Sequence, residues 1–170
     1  KVDLCFSSKA AFCMFSDVCR SPSLNLFNHL RFAKNRRSFE ICLVAGPKNK
    51  VNVTHKNLQS FSILPAKKLK GALESCDLVL SRAGANSLFE ILSAQKKAVI
   101  VPLSTAARNH QLANAQYFAD KKLIALFEQN SDKNLVKVLE NTEKNKDLKK
   151  QLEKEKFKNA AQQIIKKIAE

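Results

Sequence analysis

Short apolar runs separated by stretches with helical spacing are the feature that most limits how this chain can fold. Each run is apolar throughout rather than alternating, which is typical of strands buried on both faces. Strands are predicted at residues 39–45, 61–64, 77–81, 98–102 and 123–127. Helices are predicted near residues 23–32, at 66–75, from 84–87 onward, at 109–118 and from Ser131 onward. This alternation predicts an α/β fold, a Rossmann-like parallel sheet with helices on both faces.

The two ends of the chain fit this pattern less well. Residues 1–22 match no element, so the predicted domain covers residues 23–170. Its last part, about residues 146–169, is predicted as a charged amphipathic helix. Because its apolar spacing is irregular, docking on the sheet is favoured over a coiled coil. The apolar run at residues 10–15 is too short for a signal peptide, and no run approaches the length of a membrane-spanning helix.

Charge and cysteine content limit the classes of function. The net charge is +15, and residues 1–72 hold 13 Lys and Arg against 3 Asp and Glu. This excess is compatible with attraction to phosphorylated ligands, to anionic lipid or to nucleic acid, and equally with solvated lysines. No nucleic acid is expected, because aromatic residues do not alternate with the basic ones. The five cysteines form no C-x-x-C pair and lie far from the three histidines, so we expect reduced cysteines and no metal site.

A glycine and small residues follow the predicted strand at 77–81, where a helix begins. Gly84 and Ala85 let a phosphate approach the free N–H groups of the first turn, whose dipole favours negative charge. Ser87 adds a hydroxyl there. Glu90, three residues further on, can accept hydrogen bonds from both hydroxyls of a ribose. The same residues are compatible with a capping box in which Ser87 and Glu90 only start the helix, so both interpretations stay open.

Polar side chains also follow the predicted strand at 98–102. After a loop of small residues come His110, Gln111 and Asn114, at the start of a helix. His110 and Asn114 are four residues apart and share one face of that helix. A single histidine is usually structural, but a second polar loop at the same edge of the sheet favours a binding role, since ligands of such sheets bind beyond the carboxyl ends of the strands.

Together these segments resemble the C-terminal domain of the MurG family, the bacterial N-acetylglucosaminyltransferases that act on undecaprenyl-linked muramyl-pentapeptide. The resemblance rests on SRAGANSLFE at residues 81–90, Val-Pro at 101–102 and NHQ-x-x-NA at 109–115, and it extends from about Phe39 to the C-terminus. It implies the GT-B architecture, of which this chain would be the C-terminal, donor-binding half.

The resemblance also implies roles for individual residues towards UDP-N-acetylglucosamine. Glu90 would hold the ribose hydroxyls, and the start of its helix would face the diphosphate and sugar. His110 and Gln111 would contact the N-acetylglucosamine hydroxyls, with Asn114 supporting them. The full implied donor-binding set is Gly84, Ala85, Asn86, Ser87, Glu90, His110, Gln111, Asn114 and Arg82, with Leu64, Pro65 and Ala66 at the uracil edge. Neither a metal nor a cofactor is implied, and no catalytic residue is assigned.

Two parts of the family pattern are not found in this sequence. The family domain begins with a strand and a Gly-Gly-Ser-x-Gly-Ala loop, whereas this chain has three glycines and none before Gly46. Ser21-Pro22-Ser23-Leu24-Asn25 stands where the end of that loop would be. The acceptor-binding N-terminal domain is absent as well. We therefore expect this chain alone to bind the donor weakly and not to turn over.

Three functional hypotheses follow. The first is the donor domain of a transferase acting on a lipid-linked acceptor in peptidoglycan precursor synthesis, cytoplasmic and peripheral on the inner face of the membrane. The second is the donor subunit of a two-subunit N-acetylglucosaminyltransferase completed by a membrane-anchored partner, as in the eukaryotic dolichol pathway. The third is a non-enzymatic basic binding module.

Overall fold

The computed structural model describes residues 11–15, 40–47, 57–103, 109–128, 131, 134–155 and 157, and for residues 11–15 and 109 the backbone alone. Within them lies one parallel sheet, with helices after four of its strands. The strands are β1 (Ala11–Phe15), β2 (Glu40–Val44), β3 (Leu58–Phe61), β4 (Leu78–Ser81), β5 (Lys97–Ile100) and β6 (Ala125–Leu126). The helices are α1 (Ala66–Ser75), α2 (Ala85–Ser93), α3 (Asn109–Asp120), α4 (Leu135–Lys144) and α5 (Lys146–Lys154).

The strand order is β3-β2-β1-β4-β5-β6, and every neighbouring pair is parallel. From β1 the chain builds outward to β3, then returns to the other side of β1 and builds outward to β6. The direction of building therefore changes between β1 and β4. In open α/β sheets a crevice for ligands forms at this change, outside the carboxyl ends of the strands.

Each face of the sheet has its own core. On one face, Cys42, Val79 and Ile100 pack against buried residues of α1, α2, α3 and α5. On the other face, Leu43, Leu80 and Val99 pack in a cluster that includes residues of α4. Residues of one strand alternate between the two clusters, so both faces of the central strands are buried. The predicted Rossmann-like α/β fold is confirmed.

The best predicted elements are those whose apolar run is buried on both faces. For β2, β4 and β5 the observed limits lie within two residues of the predicted ones. All four residues of β4 are buried. The starts of α1 and α3 agree with the sequence, and α2 begins at Ala85. Residues 23–32, where another helix is predicted, lie outside the described residues.

The largest difference concerns β1. The sequence assigns residues 1–22 to no element, yet Ala11–Phe15 forms an interior strand. Cys13 is in register with Cys42 of β2 and with Val79 of β4. The sheet therefore includes residues that precede the predicted start of the domain at residue 23.

β3 is displaced from its predicted position. The strand is Leu58–Phe61 instead of residues 61–64, and Ile63 is 61% exposed. Among the described strands β3 pairs with β2 alone, and at the edge of the sheet it needs no continuous apolar run. The apolar residues that suggested a strand lie instead in the loop before α1.

Two helix limits also differ. The helix predicted from Ser131 begins at Leu135, because the Asn134 side chain accepts hydrogen bonds from the N–H groups of Val136 (2.9 Å) and Lys137 (3.3 Å). The helix predicted over residues 146–169 ends at Lys154, since Glu155 is extended. Its later part lies outside the described residues.

The described part of the last helix docks on the sheet. Leu148 and Leu152 of α5 are buried in the core cluster that also contains Ile100, as the sequence predicts. Among the described helices, none combines the length and apolarity needed to span a membrane.

Two cysteines lie in the core. Cys42 and Cys76 are buried free thiols, as expected for reduced cysteines. Burial raises the pKa of the Cys76 thiol to about 11, so this thiol stays protonated and unreactive near neutral pH.

Candidate functional site

Three connections meet at the carboxyl edge of the sheet. They are β3 to α1, β4 to α2 and β5 to α3, and each ends at a helix N-terminus. The predicted site residues lie on these connections or in the first two turns of the helices. Residues 16–39, which include the predicted segment 21–25, and residues 104–108 lie outside the described residues.

The start of α2 leaves backbone donors available. Gly84 is the N-cap, with φ −66° and ψ 134°, and no side chain of the described residues caps the helix. The first intrahelical hydrogen bond runs from Leu88 N–H to Gly84 O, at 2.9 Å. The N–H groups of Ala85, Asn86 and Ser87 therefore have no intrahelical acceptor, and they point along the positive end of the helix dipole. This is the geometry by which helix N-termini bind phosphate.

The alternative interpretation, a capping box of Ser87 and Glu90, is wrong. In such a box the serine is the N-cap, but here the N-cap is Gly84 and Ser87 lies inside the first turn. Neither side chain is thus used to start the helix. Glu90 is exposed and Ser87 is half-buried, so both remain accessible to a ligand.

The orientation of α2 is fixed by its inner face. Leu88, Ile91 and Leu92 are fully buried between the helix and the sheet. Because these residues face inward, Asn86 and Glu90, four residues apart, share a solvent-facing side. The carboxylate of Glu90 thus lies one turn beyond the free N–H groups.

Arg82 joins the loop after β4 to the loop after β5. It is buried, with 8% of its surface exposed. Its Nη1 donates to Val101 O at 3.0 Å and to Pro102 O at 3.4 Å. In this structure the guanidinium contacts backbone carbonyls of the neighbouring loop, a role that the sequence did not indicate because residue types do not reveal which carbonyls are near.

The first two turns of α3 carry the other polar site residues. His110 is exposed, whereas Gln111 and Asn114 are half-buried. Gln111 Oε1 accepts a hydrogen bond from Leu103 N–H at 3.3 Å, so its carbonyl end is bonded to the loop after β5. The amide NH2 group of Gln111 has a different direction and is left for other acceptors.

The β3–α1 loop lies on the same face of the sheet as α2. Leu64 is buried in the cluster that also holds Ala83 and Leu88. Pro65 is the N-cap of α1 and Ala66 is its first residue. The structure therefore brings the predicted uracil-edge loop and the β4–α2 turn to one face and one edge of the sheet.

Among the described residues, no three His, Cys, Asp or Glu side chains come together as a metal-binding group. That a metal is not needed stays an expectation. The roles of the predicted site residues towards a donor also stay predictions, although the structure places all of them at one edge.

Fold and site together define a class of protein. It is a Rossmann-like α/β domain in which a helix N-terminus with the geometry of phosphate-binding sites lies at the carboxyl edge of the sheet. Comparison with known proteins narrows this class. Residues 24–168 match the model of the glycosyltransferase family 28 C-terminal domain. The chain belongs to this family.

Similar proteins agree with this assignment. One similar protein is the UDP-N-acetylglucosamine--N-acetylmuramyl-(pentapeptide) pyrophosphoryl-undecaprenol N-acetylglucosamine transferase of Wolbachia sp. subsp. Drosophila simulans (strain wRi). It is 36% identical to this chain over 106 residues, which are 59% of this chain and 31% of the relative. The enzyme of the same name from Wolbachia sp. subsp. Brugia malayi (strain TRS) is 33% identical over 159 residues, 89% of this chain and 46% of the relative.

The fold is also that of a solved structure, MurG from Acinetobacter baumannii, with a TM-score of 0.71 at 21% identity, over 96% of this chain and 50% of that chain. The predicted resemblance to the MurG C-terminal domain, the donor half of a GT-B fold, is confirmed. This chain spans less than half the length of the curated relatives above.

Proposed function

We propose that this domain binds UDP-N-acetylglucosamine as the donor half of a hexosyltransferase that transfers N-acetylglucosamine to a lipid-linked acceptor in peptidoglycan precursor synthesis. The observation that carries the proposal is the N-terminus of α2 at the carboxyl edge, with free N–H groups on Ala85, Asn86 and Ser87 and the Glu90 carboxylate one turn further. The names of the relatives supply the sugar and the acceptor class.

The proposed chemistry follows from charge. When the bond between the sugar and the diphosphate breaks, negative charge grows on the leaving UDP. Fixed backbone donors and the dipole of α2 stabilise that charge without having to reorient. The Glu90 carboxylate accepts hydrogen bonds from the ribose hydroxyls and so fixes the nucleotide against the helix.

At the sugar end, His110 and the free amide of Gln111 bind the hydroxyls of N-acetylglucosamine. Asn114, on the same helical face as His110, supports them. Backbone groups of the loop at Leu64, Pro65 and Ala66 form hydrogen bonds with the edge of the uracil ring. Asn86 belongs to the proposed donor set through its position in the first turn of α2, and Arg82 through its hydrogen bonds to the loop after β5.

In our proposal the acceptor and the catalytic base are bound outside the donor domain described above. The part that holds them is either an N-terminal domain or a separate membrane-anchored chain, and it brings the peripheral contact with the inner face of the membrane. The proposal assigns the donor half alone to the residues described above.

Nucleotide binding with and without the Glu90 carboxylate tests the proposal. We expect UDP and UDP-N-acetylglucosamine to raise the melting temperature, because ligands that bind only the folded state stabilise it. Glu90→Ala should weaken both affinities by about 10- to 100-fold, the loss expected for hydrogen bonds to a charged group. The measurements are thermal shift and isothermal titration calorimetry.

The matched control is Glu74→Ala, which removes an exposed carboxylate in the last turn of α1, at the opposite edge of the sheet. A second comparison uses 2′-deoxy-UDP, which should bind the natural chain more weakly than UDP but bind Glu90→Ala as UDP does. The proposal fails if uridine nucleotides do not bind, or if Glu90→Ala behaves like Glu74→Ala.

A further inference from the structure

The three residues after β5 are held from two sides. Val101 N–H donates to Ser81 O at 2.9 Å, which continues the β4–β5 pairing. The carbonyls of Val101 and Pro102 accept from Arg82 Nη1, and Leu103 N–H donates to Gln111 Oε1. Side chains from the β4–α2 turn and from the first turn of α3 thus fix consecutive backbone groups of a single loop.

A buried arginine is suited to this position. Its guanidinium remains charged at every pH at which proteins are folded, and its several N–H donors have a fixed planar geometry. Burying such a charge is costly unless it is hydrogen-bonded, and here it donates to carbonyl oxygens. With 8% of its surface exposed, the side chain faces the loop instead of the solvent.

We propose that Arg82 is a positioning residue of the donor site, which sets the first turn of α3 relative to the first turn of α2 by holding the loop after β5. This inference rests on the proposed function, and it assigns Arg82 to the sugar end of the donor. The nucleotide contacts on α2 and after β3 do not pass through this loop, whereas Gln111 is hydrogen-bonded to Leu103 of the loop and His110 is the residue before Gln111. Loss of the guanidinium therefore displaces the sugar contacts and leaves the nucleotide contacts in place.

The test compares affinities for UDP and for UDP-N-acetylglucosamine by calorimetry in the natural chain and in Arg82→Met and Arg82→Lys. Methionine retains an unbranched apolar stem without donors, and lysine retains a charge without the planar geometry. We expect the UDP affinity to stay within about threefold and the affinity for the complete donor to fall about tenfold in Arg82→Met, with Arg82→Lys between this variant and the natural chain.

Lys96→Met is the matched control. Lys96 Nζ also donates to two backbone carbonyls, Glu74 O at 2.8 Å and Cys76 O at 3.1 Å, but at the opposite edge of the sheet. Both substitutions are expected to lower the melting temperature, and only Arg82→Met should change the ratio of the two affinities. A structural role alone would leave that ratio unchanged.

The other possible results of these affinity measurements would contradict either the inference or the proposed function. An equal tenfold loss for UDP and for the complete donor overturns the inference, since it would make Arg82 a ligand of the diphosphate. Unchanged affinities in Arg82→Met overturn it too, while a natural chain that binds neither ligand refutes the proposed function itself. If Arg82→Met does not fold, Arg82→Gln replaces it, since glutamine retains an uncharged N–H donor at this position, and a ratio of the two affinities equal to that of the natural chain in both Arg82→Gln and Arg82→Lys would contradict the inference.

Discussion

Gly84 has a backbone conformation that any amino acid can adopt, because its φ of −66° lies outside the left-handed region. A Cβ built on it would lie 3.8 Å from Ser87 Oγ, an ordinary van der Waals distance. Neither strain nor crowding by the described neighbours therefore requires glycine here. Beyond the modest preference of the N-cap for glycine over alanine, the physical reason left for a glycine here is the close approach of a ligand.

This reasoning predicts that Gly84→Ala separates stability from binding. The free energy of unfolding should change by less than about 1 kcal/mol, since alanine is only a poorer N-cap than glycine. The UDP affinity should fall at least about tenfold, because the added methyl group occupies the space of a phosphate. Denaturant unfolding and calorimetry measure the two quantities, and unchanged affinity would contradict the prediction.

At the residue scale, the sequence indicates the type of a site residue better than its partner. Glu90 and His110 are predicted as donor contacts on helices that follow strand ends, and both side chains are exposed. The hydrogen bonds from Arg82 to Val101 and from Leu103 to Gln111 were not predicted. Such contacts depend on how adjacent parallel strands place their loops, which sequence spacing does not encode.

At the element scale, burial decides which strands are predictable. β4 and β5 are interior strands buried on both faces, so their apolar runs stand out in the sequence. The edge strand β3 has exposed Gln59 and Ser60, and its sequence resembles a loop. For α4, Ser131 and Asn134 are both suitable caps, and local residue preferences alone do not choose between them.

The helix α1 has a glycine in its interior, a residue that lowers helix stability. Gly71 lies in its interior, is exposed, and a Cβ there would meet nothing within 4 Å. Gly71→Ala should therefore raise the free energy of unfolding by about 0.5–1 kcal/mol, because alanine loses less backbone entropy in a helix. Chemical denaturation measures this gain.

Gly71→Ala also serves as the control for Gly84→Ala, since both add one methyl group. The α1 variant should bind UDP as the natural chain does. Gly71→Pro should instead lower stability by about 3 kcal/mol or more, because proline breaks a helix interior. A destabilising Gly71→Ala would contradict the helical environment described for this residue.

At the scale of the whole molecule, β1 decides whether the sheet is continuous. It pairs with β2 on one side and β4 on the other. The sequence did not indicate this strand, because the short apolar run at residues 10–15, with no recognisable neighbouring element, has many interpretations. The fold class was predictable from the other strands, whereas the central position of residues 11–15 was not.

Deletion of residues 1–22 should therefore abolish cooperative unfolding. Without β1, the backbone groups of β2 and β4 that it pairs with lose their partners, and the sheet is divided into two parts. Circular dichroism during thermal denaturation measures the transition. Cys13→Pro should have a similar effect, as proline cannot donate to the ladder, while Cys13→Val should retain a cooperative transition.

The position of β1 also has a consequence for the kinetics of folding. Residue 13 pairs with residue 42 and with residue 79, so the β1–β2 pairing closes a much shorter stretch of chain than the β1–β4 pairing does. Closing the shorter stretch costs less conformational entropy, so we expect β1 to pair with β2 first. The later pairing of β1 with β4 then connects the two halves of the sheet. A ligand that contacts loops on both sides of the β1–β4 pairing would hold the two halves of the sheet together. The folded state would then unfold more slowly when the crevice is occupied.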